Sequence, residues 1–308
     1  MFVERRDDRM RINGVEIEDT YAEAFDIIGA RVLITAKNDK WALHAATSAT
    51  GLATSIIGCG AEAGIESLEG ADKTPDGRPG VNILVFAMSH KGLEDQLIRR
   101  ISQCVLTCPT TACFNNLEDG ENEVNVGGKL RYFGDGYQSS RRIYDRRFWR
   151  IPVMEGEFLV EEKFKTKTSV GGGNFLILGK DENSPLEAAE RAVDALKRIK
   201  NVVAPFPGGV VRSGSKIGSK YEFLKASTNT PYCPTLRTSV KTELPENVNS
   251  TLEIVINGLD EESIKSSMKA GIEGACTVEG IVKISAGNYG GKLGKHLIHI
   301  HNLFEATK

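Results

Sequence analysis

The sequence predicts an α+β fold of two ferredoxin-like lobes, each a split β-α-β unit, that reads as an internal duplication. Two observations carry this. Apolar runs of strand length alternate with segments of helical period, and the order β-α-β then β-α-β occurs once in each half. The halves share that order but little visible sequence identity. With 308 residues, 40% of them hydrophobic, the chain is long enough to build two modest cores.

In the first half, Arg31–Ala36 reads as a buried strand. Asn38 or Asp39 can cap a helix over Lys40–Thr50 that stops at Gly51. Thr54–Ile57 is expected as a second strand, and Thr74–Gly80, with its Pro and Gly, as a turn. Val81–Ala87 is a third strand. Ser89 caps a helix to about Val105, with Leu93, Leu97 and Ile101 on one face. Lys129–Phe133 completes the set.

In the second half, Asn174–Leu178 is a strand. Ser184-Pro-Leu-Glu187 has the form of a capping box with Pro at the first helical position, and Leu186, Ala189, Val193 and Leu196 form the expected buried stripe. Asn201–Ala204 and Leu252–Ile256 are strands. Asp260 caps a helix whose buried face is Ile264, Met268 and Ile272, with Glu261 and Lys265 paired on the outside. Ile281–Ser285 and His296–His301 are the last strands.

Arg141–Arg150 is densely charged and Pro152 interrupts it, so the lobes are expected at 10–150 and 151–308. Residues 1–9 are polar and patternless and read as a flexible N-terminal extension. The stretch 216–249 is long and turn-rich, as functional loops often are.

A net charge of −2 with both signs mixed throughout argues against a nucleic-acid binder. No run approaches the ~20 apolar residues that cross a bilayer. The first residues lack the apolar core of a secretory signal, so a cytoplasmic protein is expected. Six cysteines in such a chain are expected to be free. Cys104, Cys108 and Cys113 do not match zinc or cluster spacings, and no metal is expected.

There is no G-x-S-x-G elbow. Gly209–Lys216 has Ser before Lys, the reverse of a P-loop. Arg212, Lys216 and Lys220 there could hold an anion or be solvated bases on a surface turn. Ser285–Lys295 is a second Gly-rich loop, where Asn288, Tyr289, Lys292 and Lys295 could contact a ligand; a plain hairpin connection fits equally. His299 and His301 alternate on their strand but are too few for a metal site. Glu253 lies on the strand face opposite Leu252, Ile254 and Ile256. Such a residue usually meets water. If its face is covered, its carboxyl is desolvated and can be a neutral hydrogen-bond donor.

The runs Ile12–Tyr21, Thr74–Gly80, Gln103–Thr107, Pro109–Ala112, Ala204–Gly209, Glu253–Ser263 and Ser285–Lys295 resemble the formylmethanofuran–tetrahydromethanopterin formyltransferase family, from about Met10 to Phe304. The resemblance implies two ferredoxin-like lobes, a homotetramer and no prosthetic group. Formylmethanofuran and tetrahydromethanopterin would be carrier substrates, in methanogenesis or related one-carbon metabolism. It implies a natural start at Met10, and a buried acid at Glu253 as the catalytic group. Both substrates carry acidic tails, so Arg78, Lys216, Lys292 and Lys295 are expected contacts on charge alone. Two other readings stay open: a non-catalytic or complex-forming homologue acting with a formylmethanofuran hydrolase or dehydrogenase, and a small-molecule sensor.

Overall fold

The computed structural model describes residues 3–6 and 9–305. The fold is mixed α/β, with six α-helices among the described residues. Two compact units form: Ile27–Ser169, and Met1–Asp26 with Val170–Lys308. The chain passes between them within two long strands, Tyr21–Thr35 and Lys163–Gly179. Residue 150, where the two lobes are expected to divide, lies inside the first of these packing units. The stretch around it is a hairpin, with Arg146–Val153 antiparallel to Gly156–Glu161 and Leu159 continuing in parallel onto Ala112. The hairpin buries Ile151, Phe158 and Val160 on one face and carries its charges on the other, as in the Arg150–Glu157 pair at 2.5 Å.

In the unit Ile27–Ser169, the strand ending at Thr35 is followed by helix Asp39–Thr50, strands Glu62–Glu69 and Gly80–Ala87, helix His90–Arg100 and strand Ala112–Asn115. The third strand pairs antiparallel with both the first and the second, and the fourth pairs antiparallel with the first. The spatial order is therefore fourth, first, third, second. Val32, Ile34, Ile83 and Val85 bury one sheet face against Leu93 and Leu97. Asn38 Oδ1 accepts from Trp41 N at 3.2 Å and Ser89 Oγ from Gly92 N at 3.1 Å, as the capping signals predict.

Two expected strands of this unit are helical. The Thr54–Ile57 strand is replaced by a helical turn, Ile56–Cys59, because the Glu62 carboxylate accepts from Ile56 N at 2.9 Å. Lys129–Phe133 is covered by helix Gly127–Leu130 and a 3-10 turn. The closing strand is Ala112–Asn115, whose run is too short to stand out by periodicity.

The other unit repeats the order. Strand Lys163–Gly179 is followed by helix Asn183–Leu196, strands Val202–Val203 and Ser250–Gly258, helix Glu261–Ala275 and strand Ile281–Ser285. The third again lies between the second and the first, with the fourth on the first's far side. Phe175, Ile177, Ile254 and Ile256 meet Ile264, Met268 and Ile272 in one core. Each such buried side chain contributes about 1.5–3 kcal/mol. Asp260 caps its helix through Ser263 N at 2.7 Å, and Glu261–Lys265 pair at 2.9 Å, both as expected.

Helix Asn183–Leu196 departs from the sequence reading in two details. Asp181, not Ser184, is the cap, accepting from Asn183 N and Ser184 N at 2.9 Å each. The buried stripe runs Pro185, Ala188, Ala189, Ala192, Val193 and Leu196, which leaves Leu186 half exposed. At the partner helix, a Cβ on Gly274 would stand 3.0 Å from Arg191 O, so glycine sets the closeness of this helix pair.

Within the expected N-terminal extension, Val3–Arg6 is a strand antiparallel to Arg9–Ile12. Met1, Phe2, Asp7 and Asp8 lie outside the described residues.

Candidate active site

Strand Ser250–Gly258 sends Ile254 and Ile256 to the helix core and Thr251 and Glu253 to the opposite face. Glu253 lies opposite Leu176 on one side. On the other, Val211 N donates to Glu253 O at 2.8 Å and Glu253 N to Val211 O at 3.0 Å. The turn-rich segment covers this second face: Leu244 and Val248 pack on Leu176 and Leu178. The chain's own loop therefore takes the carboxyl out of water, and Glu253 is only 3% exposed.

Ser215 Oγ donates to Glu253 Oε1 at 2.6 Å. Glu253 Oε2 is buried with no partner among the described residues, and so is Thr251 Oγ1, two positions away on the same face. Both residues line a cleft of about 30 Å³ with Arg212, Tyr232 and Cys233. Burial pushes the Glu253 carboxyl up to about 7, against the opposing pull of Ser215. A cleft-lining carboxyl poised near neutral pH, with one buried oxygen unengaged, has a hydrogen bond left to donate.

The Gly-rich loop after Ser285 is folded around Glu23, a buried acid that the sequence reading passed over. Glu23 Oε2 accepts from Tyr289 N at 2.7 Å and Gly291 N at 2.9 Å; Oε1 accepts from Leu293 N at 2.5 Å and Gly294 N at 2.7 Å. Desolvation pushes this carboxyl up, but the four N–H donors outweigh it and hold it below the ordinary carboxylate value. Gly294 is required sterically, because a Cβ there would stand 2.2 Å from Ala24 O.

The other expected site residues fall in different places. Tyr289 Oη accepts from Ile217 N and donates to Ser215 O, both at 3.0 Å, which ties the loop to the segment bearing Ser215. Asn288 organises the loop itself, donating to Thr20 Oγ1 at 3.2 Å and accepting from Gly290 N at 3.2 Å. Lys292 is exposed, and Lys216 is half-buried on a two-residue strand against Ala226–Ser227. Lys295 is exposed and pairs with Asp26 at 2.8 Å. Arg78 lies in the unit Ile27–Ser169 and spends its guanidinium internally, on Asp76 at 2.7 Å, Thr110 O at 2.5 Å and Thr35 Oγ1 at 3.2 Å. That unit also holds a cavity of about 740 Å³ lined by Cys108, Phe133 and Met154, and no expected site residue lines it. Among the described residues, no group of three or more His, Cys, Asp or Glu is placed to hold a metal ion, and no helix is long and apolar enough to cross a membrane.

Ser215 and Glu23 are the two residues sequence reasoning missed. Ser215 stands in the sequence only as the residue before Lys216, in an order that a P-loop does not have. Glu23, flanked by Ala22 and Ala24, gave one faint signal: an acid between small residues in an otherwise apolar run.

Residues 10–153 match the family model described as formylmethanofuran-tetrahydromethanopterin formyltransferase, and residues 156–303 match that of the FTR proximal lobe. The chain belongs to the formylmethanofuran–tetrahydromethanopterin formyltransferase family. A formyltransferase of this name from Methanosarcina acetivorans is 57% identical across 96% of this chain and 100% of its own length. One from Methylococcus capsulatus is 55% identical over 96% of this chain and 99% of its own. Among solved structures, the Methanosarcina barkeri formyltransferase superposes with a TM-score of 0.91 at 56% identity, covering 96% of this chain and 100% of that one. A chain of the formyltransferase/hydrolase complex from Methylorubrum extorquens, solved with methylofuran, has a TM-score of 0.94 at 48% identity, covering 97% of this chain and 100% of that one.

In the same unit as Glu253, His296 forms an ionic cluster. Its Nε2 meets Asp26 at 2.8 Å and its Nδ1 meets Glu261 at 2.6 Å. Desolvation lowers its pKa, but the two carboxylates outweigh that and raise it above the ordinary imidazole value. A raised folded pKa adds stability that is full below the unfolded value and disappears as pH rises through the folded one. His296→Gln is therefore expected to lower Tm more at pH 5 than at pH 9 by calorimetry; an equal loss at both would contradict the ionic role.

Proposed function

We propose that this chain catalyses transfer of a formyl group from formylmethanofuran to tetrahydromethanopterin, with Glu253 as the catalytic group. Family membership over nearly the whole chain supports the reaction. The single observation that supports the role of Glu253 is its buried, partnerless Oε2 at a cleft. A pterin amine attacks the formyl carbon, a C–N bond forms, and the carbonyl oxygen becomes an oxyanion. Collapse breaks the C–N bond to methanofuran, and the proton that the pterin amine loses leaves on the methanofuran amine. The chemistry needs no enzyme nucleophile. It needs alignment of two large substrates and a donor at the developing charge. A neutral Glu253 supplies that donor through Oε2.

Each compact unit is read as a ferredoxin-like lobe. The repeated order of fourth, first, third and second strand supports this and an internal duplication. Exposed Lys292 and half-buried Lys216 remain proposed contacts for the acidic substrate tails. Lys295 would first have to leave Asp26, and Arg78 its internal partners. The protein works in the cytoplasm as a homotetramer. A second reading, a subunit acting beside a hydrolase, is favoured by the likeness to a chain of the Methylorubrum complex.

The test is a spectrophotometric assay of the purified protein with both coenzymes, following formyl-pterin formation. Turnover by the protein alone supports the formyltransferase. No turnover from folded protein, regained on adding a copurifying hydrolase, would favour the second reading.

A further inference from the structure

Glu253 has two chemically equivalent oxygens, but its surroundings treat them differently. Oε1 accepts from Ser215 Oγ at 2.6 Å, whereas Oε2 is buried at the cleft without a partner. An oxygen that accepts a hydroxyl proton is the poorer place for the acid's own proton, so the carboxylic proton belongs on Oε2. Ser215 in turn is held by Tyr289. The Tyr289 phenol donates to Ser215 O and accepts from Ile217 N, both at 3.0 Å. Both functions of that phenol are thereby committed to the backbone around Ser215. Tyr289 itself is fixed by its N–H on Glu23.

We infer that Ser215 and Tyr289 are positioning residues: Ser215 directs the Glu253 proton to Oε2, and Tyr289 clamps Ser215 where it can do so. This rests on the reading of Glu253 as the catalytic acid. The other titratable groups at the site are Arg212, Cys233 and Tyr232, which line the cleft. None of them makes a hydrogen bond to Glu253 among the described contacts, so Ser215 is the side chain that distinguishes the two oxygens.

The test compares pH profiles of kcat/KM for the wild-type protein, Ser215→Ala, Tyr289→Phe and Glu253→Gln in the formyl-transfer assay. Both the hydroxyl and the backbone N–H of Ser215 favour the ionised carboxylate; alanine removes the hydroxyl and keeps the N–H, so the carboxyl titrates higher. Ser215→Ala is expected to lower kcat about 10- to 100-fold with little change in KM, and to move the alkaline limb up by about half a pH unit or more. Tyr289→Phe is expected to do the same to a smaller extent while leaving the hydroxyl of Ser215 in place. A role in folding alone would lower yield or Tm without moving the limb. If Glu253→Gln is inactive but the alkaline limbs of both other variants superimpose on wild type, the positioning role is wrong. If Glu253→Gln stays active, the reading of Glu253 is what fails.

Discussion

Glu253→Gln is expected to lower kcat of formyl transfer by about 10²- to 10³-fold while leaving Tm nearly unchanged, the scale seen when one oxyanion donor is removed. The amide has the same shape and can still accept from Ser215, so the fold keeps its packing. An amide N–H is a weaker donor than a carboxylic O–H. The wild-type protein adds a pH signature. In the proposed mechanism the neutral acid is the donor, and burial pushes its titration up to about 7. Activity as kcat/KM should therefore be full in mildly acidic solution and fall as pH rises through about 7. The residual rate of Glu253→Gln should lack that fall. A variant with full activity, or one that keeps the alkaline limb, would remove Glu253 from the chemistry.

The second large effect is expected at Glu23, which makes no contact with the cleft. Replacing it with Ala leaves four backbone N–H groups of the Gly-rich loop without their acceptor. The loop borders solvent, so water recovers part of the loss, and the expected destabilisation is on the order of 2–4 kcal/mol. Formyl transfer should fall as well, because Tyr289 loses its backbone anchor. Glu23 has a depressed folded pKa, so its contribution is present above the unfolded carboxylate value and is lost as pH falls through the lower folded value. Calorimetry should show a wild-type-to-Glu23→Gln gap in Tm that is wide at neutral pH and narrows in acid. A gap that does not change with pH would mean that the charge of Glu23 does not hold the loop.

Much of the fold was legible because its signals are local. Caps at Asn38, Ser89 and Asp260 act within one turn, and Ile264, Met268 and Ile272 declare their face by spacing alone. Local reading failed where a neighbouring side chain chose between two possibilities. Glu62 accepts from Ile56 N at the start of a helical turn inside the expected Thr54–Ile57 strand, and Asp181 took the cap assigned to Ser184.

The sequence by itself determined the class of fold, the alternation that puts Glu253 opposite Ile254, and the family to which the chain belongs. Only the tertiary structure decided what Glu253 is. Its carboxyl is desolvated because Leu244 and Val248 bring a turn-rich segment over its face, and its oxygens differ because Ser215 arrives from 38 positions away. The Gly-rich loop likewise gained its shape from Glu23, more than 260 residues earlier in the chain. Burial and hydrogen-bond partners at such separations are properties of the packed chain, and no short-range pattern encodes them.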